Sequence, residues 1–222
     1  DFGVATRELI DHFDRIDAAI LSHGTREGDL SRLATQAFLA LFVSFERFGS
    51  DLLLAYLNRD FTKYQQDLQS RITSSVRDKH GVGVSLRLNF SSTKHVSVAE
   101  LEEIVDPTGW NLTFANTVKL KEYADRVLVP AYSVRISSIS PGEARLIDTA
   151  RAVRDFIAHQ SKGAKKRMNE CLASVDQGGH NLHLAKGVSE VHAVGAYLKA
   201  NQAGARRLHH YAEGLQLVAR HI

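Results

Sequence analysis

Arg154 and His159 are the two residues of this chain best suited to chemistry, and the sequence Asp-Phe-Ile-Ala separates them. Arginine keeps its positive charge throughout the physiological pH range, and its planar guanidinium group matches the oxygens of a phosphate. Histidine has an ordinary pKa close to neutrality, so the imidazole can both accept and donate a proton. Together these side chains suit acid–base chemistry on a phosphodiester without a metal ion.

The spacing of this pair places a geometric condition on any shared site. Five residues at about 100° per residue rotate His159 by roughly 140° from Arg154 on a straight helix. Asp155 lies four positions before His159 and shares its face, so we expect Asp155 to orient the imidazole while the long arginine reaches around. A second subunit offers another route, because a two-fold axis would gather two such helices at one cleft.

Composition predicts an ordinary globular protein. The 222 residues are 44% hydrophobic and 24% charged with only three prolines, which argues against long disordered tails. This length is enough to bury a full core, and we expect one domain over residues 1–222. The net charge of +3 is compatible with an RNA partner without requiring one. The sequence begins at Asp1 without a methionine, as expected for a piece of a longer chain.

Cysteine content and hydropathy predict the compartment. Cys171 is the single cysteine, so an intrachain disulfide and a cysteine-based zinc site are both excluded. A reducing, cytoplasmic location is therefore expected, and no metal or other cofactor is predicted. The most apolar stretch, Ala37–Tyr56, is interrupted by Glu46, Arg47 and Asp51, which predicts a buried helix rather than a membrane span.

Hydrophobic periodicity predicts an all-α fold. Apolar residues recur at three-and-four spacing along most of the chain, and the stripe of phenylalanines in the second helix is expected to pack in the core. Ser97 and Glu100 form a predicted capping box. The predicted helices are Thr6–Leu21, Asp29 to about Asn58, Phe61–Asp78, Ser97–Val105, Asn116–Leu128, Pro141–His159, Ala164–Val175 and Asn201–Ile222.

A small irregular or β insertion around residues 82–140 is expected to interrupt this bundle. Apolar residues alternate from Val82 to Phe90, a pattern that favours a short strand. Residues 106–109 are expected to close the short capped helix, and Trp110 to anchor the loop that follows. Pro130–Ser140 is predicted to be irregular, while residues 178–200 fit neither helix nor strand clearly.

The Arg154–His159 run resembles the signature of the HEPN superfamily, α-helical proteins whose ribonuclease members carry an arginine followed four to six residues later by a histidine. The position after the arginine is polar in that family, often asparagine, and here it is Asp155. The aromatic helix Phe38–Phe48 is similar to the helix that precedes the motif by roughly a hundred residues in the RiboL-PSP-HEPN-like branch. The resemblance covers most of residues 30–165 and implies a HEPN-like helical bundle.

This resemblance implies a metal-independent endoribonuclease that usually acts as a homodimer, in toxin–antitoxin, anti-phage or RNA-processing systems. His159 is expected to act as general acid or base, and Arg154 to neutralise charge on the phosphorane. The nucleophile would be the 2′-OH of the RNA itself, and the product a 2′,3′-cyclic phosphate. An antitoxin or a regulatory domain is the expected restraint.

Other charged residues are assigned supporting roles, each with a structural alternative. Glu46 is expected to help position the histidine, or else to pair with a neighbouring base such as Arg47. Lys165, Lys166 and Arg167 are candidates for RNA binding, because contacts to the phosphate backbone need only mobile cations. Arg206 and Arg207 are candidates of the same kind. Charge runs of this sort are otherwise solvated helix faces.

The remaining motifs argue for neither a metal nor a nucleotide site. His180 and His183 have a spacing that metals use on helices, but no cysteine or carboxylate nearby completes a ligand set. His209 and His210 are expected to be structural or surface residues. Gly81-Val82-Gly83 lacks the downstream lysine and hydroxyl residue of a phosphate-binding loop, and no serine elbow is visible.

Two hypotheses from different classes follow. In the first, the chain is an RNA-cutting enzyme of the HEPN type. In the second, it is a catalytically inactive HEPN-like module, in which Arg154 and His159 bind a nucleotide or RNA or seal a dimer interface.

Overall fold

A computed structural model of the protein describes residues 1–24, 27–106 (Glu27 by its backbone alone), 112–174, 180, 182–184 and 187–222. The described residues form eleven helices and one two-stranded sheet, so the expected all-α fold is confirmed. Contacts within the chain define two compact units, one of residues 1–48 and 139–222 and the other of residues 49–138. The single domain expected over residues 1–222 stays a prediction.

Eleven helices follow one another along the described part of the chain. They are α1 (Phe2–Ser22), α2 (Glu27–Arg59), α3 (Thr62–His80), α4 (Val82–Ser85), α5 (Val98–Val105), α6 (Thr117–Val127), α7 (Pro130–Ser137), α8 (Pro141–His159), α9 (Lys162–Ser174), α10 (Val194–Lys199) and α11 (Arg207–His221). The strands β1 (Asn201–Gln202) and β2 (Ala205–Arg206) form an antiparallel hairpin between α10 and α11.

The first unit is built around α8 and α11. In this unit α8 packs against α9 and α11, and α1 also packs against α11. Phe38 and Phe42 of α2 are buried, and the Phe38 ring meets the ring of Tyr211 edge-on with centroids 5.1 Å apart. The predicted core role of the phenylalanine stripe is therefore confirmed.

The second unit holds α3 to α7 and the last turns of α2. The rings of Tyr56 and Tyr132 are stacked with centroids 4.9 Å apart. Asn58 donates a hydrogen bond from Nδ2 to the carbonyl of Val96 at 2.7 Å, which attaches the irregular segment before α5 to α2. The predicted capping box at Ser97 is present and begins α5.

The helix that carries the arginine–histidine pair has the predicted limits. Ser140 accepts a hydrogen bond from the backbone of Glu143, and Glu143 accepts one from the backbone of Ser140. The two residues thus form a capping box that begins the helix, with Pro141 at its first position. The basic helix after it begins slightly earlier than predicted, at Lys162. It runs to Ser174, and the predicted last residue, Val175, lies outside the described residues.

The strand predicted from Val82 to Phe90 is wrong. Val82–Ser85 forms one helical turn, α4, and residues 86–90 form no strand. Alternating apolar residues predict a strand only if one face is buried, and here Leu86 is 79% exposed while Val82 and Val84 are also exposed. The described residues of the insertion contain no strand, and the helices α4 to α7 alternate there with irregular segments.

Two other predictions of local structure are wrong. Pro130–Ser140 is helical over Pro130–Ser137, because Pro130 occupies the first turn of α7, where a missing N–H costs nothing. The terminal helix begins at Arg207 instead of Asn201, since Ala203 and Gly204 adopt left-handed backbone angles that turn the hairpin. The undecided stretch before it contains α10. Trp110 and the turn at residues 107–109 lie outside the described residues.

None of the helices in the described part of the chain has an apolar stretch of the length that a membrane crossing requires.

Candidate active site

Arg154 lies in the second half of α8 and is fixed by two carboxylates of the first unit. Its Nη1 donates a hydrogen bond to Asp155 Oδ1 at 3.0 Å. Its Nη2 lies 3.4 Å from Glu46 Oε2, within ion-pair range. The Arg154 side chain remains 29% exposed, so it is partly open to solvent. The structure thus places one predicted catalytic residue beside both predicted supporting carboxylates.

Arg151 is a second arginine at the same place, and the sequence analysis missed it. Its Nη1 lies 3.7 Å from Glu46 Oε1, and its Nε lies 3.9 Å from Asp155 Oδ2. The contacts close a ring in which the charges alternate: Arg151, Glu46, Arg154 and Asp155. We call these four residues the charge ring.

One local feature of the sequence could have identified Arg151. Arg151 stands four positions before Asp155 and three before Arg154, so all three project from one side of α8. That spacing predicts an Arg151–Asp155 pair on a helix. The partner on the other side, Glu46, belongs to α2 and is about a hundred positions away, so no local pattern identifies it.

Glu46 is the most enclosed member of the charge ring. Its side chain is 14% exposed, and its Oε1 atom is buried with no hydrogen bond from any described residue. Burial raises the pKa of the Glu46 carboxyl above its ordinary value, although Arg154 and Arg151 act to lower that pKa and Asp155 acts to raise it. Glu46 therefore pairs with the two arginines of α8 and, contrary to expectation, forms no hydrogen bond or ion pair with His159.

His159 is placed differently. It is the last residue of α8, its side chain is exposed, and Gln160 ends the helix in the left-handed conformation at a φ of 48°. No side chain in the described part of the chain forms a hydrogen bond or an ion pair with the His159 imidazole. The expected Asp155–His159 contact is thus absent here, because Asp155 is engaged by Arg154 and Arg151 instead.

The predicted RNA-binding residues lie on α9, which follows His159 directly. Lys166 is exposed and lies 3.8 Å from the carboxylate of Glu170, while Lys165 is 3.4 Å from that of Glu190. Arg167 is exposed as well. An open groove of about 450 Å³ runs along this helix beside Lys162, Lys165, Lys166 and Asn169.

Arg207 is not available to bind RNA, contrary to expectation. It is only 4% exposed, and it donates hydrogen bonds to the carbonyls of His183 and Tyr197 and to the side chain of Gln202. Arg206 pairs with Asp17 and donates to a backbone carbonyl. Both arginines hold the hairpin and the segment before α10 in place.

The other histidines have structural contacts. His183 is hydrogen-bonded to Gln202, and His210 donates from Nε2 to the Gln202 carbonyl at 2.7 Å. His209 contacts Asp14 at 3.0 Å, in keeping with the structural role expected for the pair. Within the described residues, no group of three or more histidine, cysteine or acidic side chains is arranged to hold a metal ion.

No protein-family model, curated protein or solved structure significantly matches this chain.

Proposed function

We propose that this chain is a metal-independent endoribonuclease of the HEPN type, with Arg154 and His159 as its catalytic residues. The observation that carries the proposal is the α8 helix itself. It presents a partly exposed arginine side chain fixed by two carboxylates and, at its last residue, an exposed histidine. A permanent cation and a side chain that can both accept and donate a proton are the two components that this reaction needs.

The proposed reaction is a transesterification within the RNA. The imidazole of a neutral His159 takes the proton of a ribose 2′-OH, and the 2′-oxygen attacks the adjacent phosphorus. The bond from phosphorus to the 5′-oxygen of the next nucleotide breaks, and that oxygen leaves with a proton supplied by a second, protonated imidazole or by water. The products are a 2′,3′-cyclic phosphate and a 5′-hydroxyl end. Arg154 stabilises the negative charge that accumulates on the phosphorane oxygens.

A homodimer is part of the proposal, because one copy of α8 does not align the pair. His159 is rotated by roughly 140° from Arg154 and displaced by about 7.5 Å along the helix axis. Two copies of the α8 end related by a two-fold axis would bring the arginine of one chain near the histidine of the other. Both protonation states of histidine would then be present in one cleft, one serving as base and one as acid.

Other residues of the proposed site support Arg154 and His159. Glu46 and Asp155 fix the arginine, and Lys165, Lys166 and Arg167 contact the RNA backbone beside the cut. The single cysteine favours action in the cytoplasm, and the resemblance to HEPN proteins favours a toxin–antitoxin or anti-phage system. An antitoxin or a regulatory domain would then restrain the activity.

A second candidate function, a catalytically inactive HEPN-like module that binds RNA or mediates dimerisation, is favoured by one observation. Arg154 is engaged by two carboxylates, while His159 stands outside their network. In such a module the arginine would seal an interface or bind a nucleotide, and no proton transfer would be required.

A cleavage assay separates the two candidates. Purified protein is incubated with end-labelled RNA in EDTA, in parallel with His159→Ala and Arg154→Ala. His12→Ala is a matched control, because His12 is another exposed histidine of the first unit. We expect the wild type and the control to cut RNA, and both α8 variants to be inactive.

The chemical nature of the ends provides a second readout. Cyclic phosphate at the 3′ end of the upstream fragment is expected, and a substrate with a single 2′-deoxy position is expected to resist cutting there. RNA that stays intact with wild-type protein as a monomer and as a dimer would favour the binding module instead.

A further inference from the structure

Arg151 and Arg154 bring two guanidinium groups together, and this arrangement is not favoured by helix geometry alone. They stand three positions apart on one face of α8, where two like charges repel each other. Both side chains are partly exposed, 20% for Arg151 and 29% for Arg154. Glu46 lies between them and presents one carboxylate oxygen to each. The pairing is therefore maintained by a residue from a different helix.

The contacts in the charge ring are loose. Only the bond from Arg154 Nη1 to Asp155, at 3.0 Å, is a hydrogen bond of ordinary length. The other three contacts measure 3.4, 3.7 and 3.9 Å. Within the described residues, Arg151 Nη2 and Arg154 Nε form no hydrogen bond. Each guanidinium group thus keeps N–H donors for another acceptor.

Stability does not account for this arrangement. Removing a carboxylate from water is costly, and the cost is recovered only when good hydrogen bonds replace the lost ones. Glu46 Oε1 is buried without such a bond. An unsatisfied buried group within a partly exposed charge network calls for a functional explanation.

We infer that Arg151 and Arg154 form a two-arginine clamp for a backbone phosphate of the RNA substrate, and that Glu46 is the positioning residue that holds the two guanidinium groups side by side. This inference rests on the proposed ribonuclease function and adds Arg151 to its site. A phosphodiester carries two non-bridging oxygens, so each oxygen can accept from one guanidinium group. The clamp then fixes the phosphorus beside Arg154.

Charge within the ring makes Arg151 sensitive to substitution. Two arginines and two carboxylates sum to zero, so a phosphate is held by the aimed N–H donors and not by a net positive field. Removing Arg151 leaves one cation against two carboxylates, and the site then repels an anion. Removing an arginine elsewhere changes the total charge of the protein equally but leaves the ring neutral.

The test measures binding separately from cutting. The probe is a fluorescein-labelled single-stranded RNA with 2′-O-methyl groups, which lacks the nucleophile and cannot be cleaved. Arg151→Gln and Arg154→Gln are compared with Arg220→Gln, a matched control at an exposed arginine of the first unit. Anisotropy gives Kd over a range of salt concentrations.

We expect Arg151→Gln to weaken binding about tenfold, as Arg154→Gln does, because each loses a charge-assisted hydrogen bond. The slope of log K against log salt should become shallower by about 0.7 for each lost phosphate contact. Arg151→Lys should recover the slope but only part of the affinity. Arg220→Gln should change Kd less than twofold. If Arg151→Gln binds as Arg220→Gln does, the clamp is wrong.

A measurement on the wild-type protein covers the case in which Arg151→Gln does not fold. The Nε–H resonances of Arg151 and Arg154 should both shift when the 2′-O-methyl RNA is added, while that of Arg220 should not. An Arg151 resonance that stays fixed while the RNA binds would overturn the clamp. Failure of the ribonuclease proposal is a separate result: unmodified RNA would remain uncut while the binding pattern held.

Discussion

Two arginine-rich regions of the first unit serve as a comparison. At the start of α11, Arg207 is almost fully buried, donates three hydrogen bonds of 2.9 to 3.3 Å, and lies 4.7 Å from the centre of the Tyr197 ring. In the charge ring of α8, Arg151 and Arg154 are partly exposed and share a single ordinary hydrogen bond, to Asp155. The residue type is the same in both regions, and its surroundings differ.

The difference separates a structural arginine from the two arginines that we propose bind phosphate. Most N–H groups of Arg207 bond to backbone and amide oxygens, and among described atoms only Nε has no acceptor. Such a residue secures chain segments and has little left for a ligand. The arginines of the charge ring face their carboxylates mostly at longer distances, and their side chains are partly exposed. All of these arginines carry the same charge, so the number of N–H donors left without an acceptor decides which of them can bind phosphate.

The largest expected effect is on activity at the α8 end. His159→Ala should lower kcat/KM for RNA cleavage by about 10²- to 10⁴-fold, the range for loss of a general acid or base. The melting temperature should hardly change, because His159 is exposed and has no described partner. Parallel kinetics and thermal melts check both statements. A large loss of stability would show that His159 is structural.

The next effect, on stability, is expected at Arg207. Arg207→Met should lower the free energy of unfolding by about 2–4 kcal/mol, because the carbonyls of His183 and Tyr197 and the side chain of Gln202 lose their buried donor. Urea denaturation measures this change. Arg151→Met should cost less in stability and more in activity, and the opposite order would invalidate the comparison.

The sequence predicted much of the fold for local reasons. The limits of α8 were predictable because Ser140, Pro141 and Glu143 form a start signal whose parts reinforce one another. The strand at residues 82–90 failed because alternation does not reveal whether either face is buried, and Leu86 is exposed. Residues 130–140 were predicted to be irregular, although Pro130 begins a helix.

The candidate site was only half predictable. Arg154, Asp155 and His159 lie in one short run, so their types and spacing are visible in the sequence. The role of Arg151 depends on Glu46, which reaches it from α2 through folding of the chain. The burial of Arg207 was hidden in the same way, because its partners lie on the hairpin and on the segment before α10.

A third effect distinguishes positioning from charge at Glu46. Glu46→Gln keeps the shape of the side chain and an oxygen acceptor but removes the negative charge between Arg151 and Arg154. The kcat should fall about tenfold as the arginines lose alignment, and KM should not rise, since the site gains net positive charge. Steady-state kinetics separate the two constants. A rise in KM with unchanged kcat would contradict the positioning role.

The pH dependence of stability gives a smaller effect with a definite sign. Burial raises the pKa of Glu46 above its ordinary value of 4.5, so in the window above 4.5 the folded state binds more protons than the unfolded state. The stability that protonation of Glu46 contributes is therefore fully present below pH 4.5, and it is lost as pH rises through the raised pKa. Relative to Glu46→Gln, the wild type should lose stability as pH rises from about 4 towards neutrality.

Glu143 serves as a control, because its pKa is shifted in the opposite direction to that of Glu46. Burial acts to raise the pKa of Glu143, but hydrogen bonds from the Ser140 backbone and side chain and the contact with His221 outweigh it and lower the pKa below 4.5. Its contribution is present above that value and is lost as pH falls through the lowered pKa. Relative to Glu143→Gln, the wild type should gain stability with rising pH. Equal slopes for the two variants in urea titrations would contradict both assignments.

The smallest effect is expected on α9. Lys166→Gln should reduce the salt dependence of RNA binding by about 0.7 in slope and change stability by less than about 0.5 kcal/mol, because its contact with Glu170 is exposed. Anisotropy at several salt concentrations and a urea titration test this. An unchanged slope would show that Lys166 does not contact the RNA backbone.

Mixing two inactive variants tests the central claim most directly. Arg154→Ala and His159→Ala subunits are combined, allowed to exchange, and assayed on RNA in EDTA. Arginine and histidine that meet across two subunits should restore part of the wild-type activity in the mixture, while each variant alone stays inactive. A mixture as inactive as its components, beside a wild type that cuts RNA, would contradict the composite site, and a wild type that leaves RNA intact would contradict the ribonuclease.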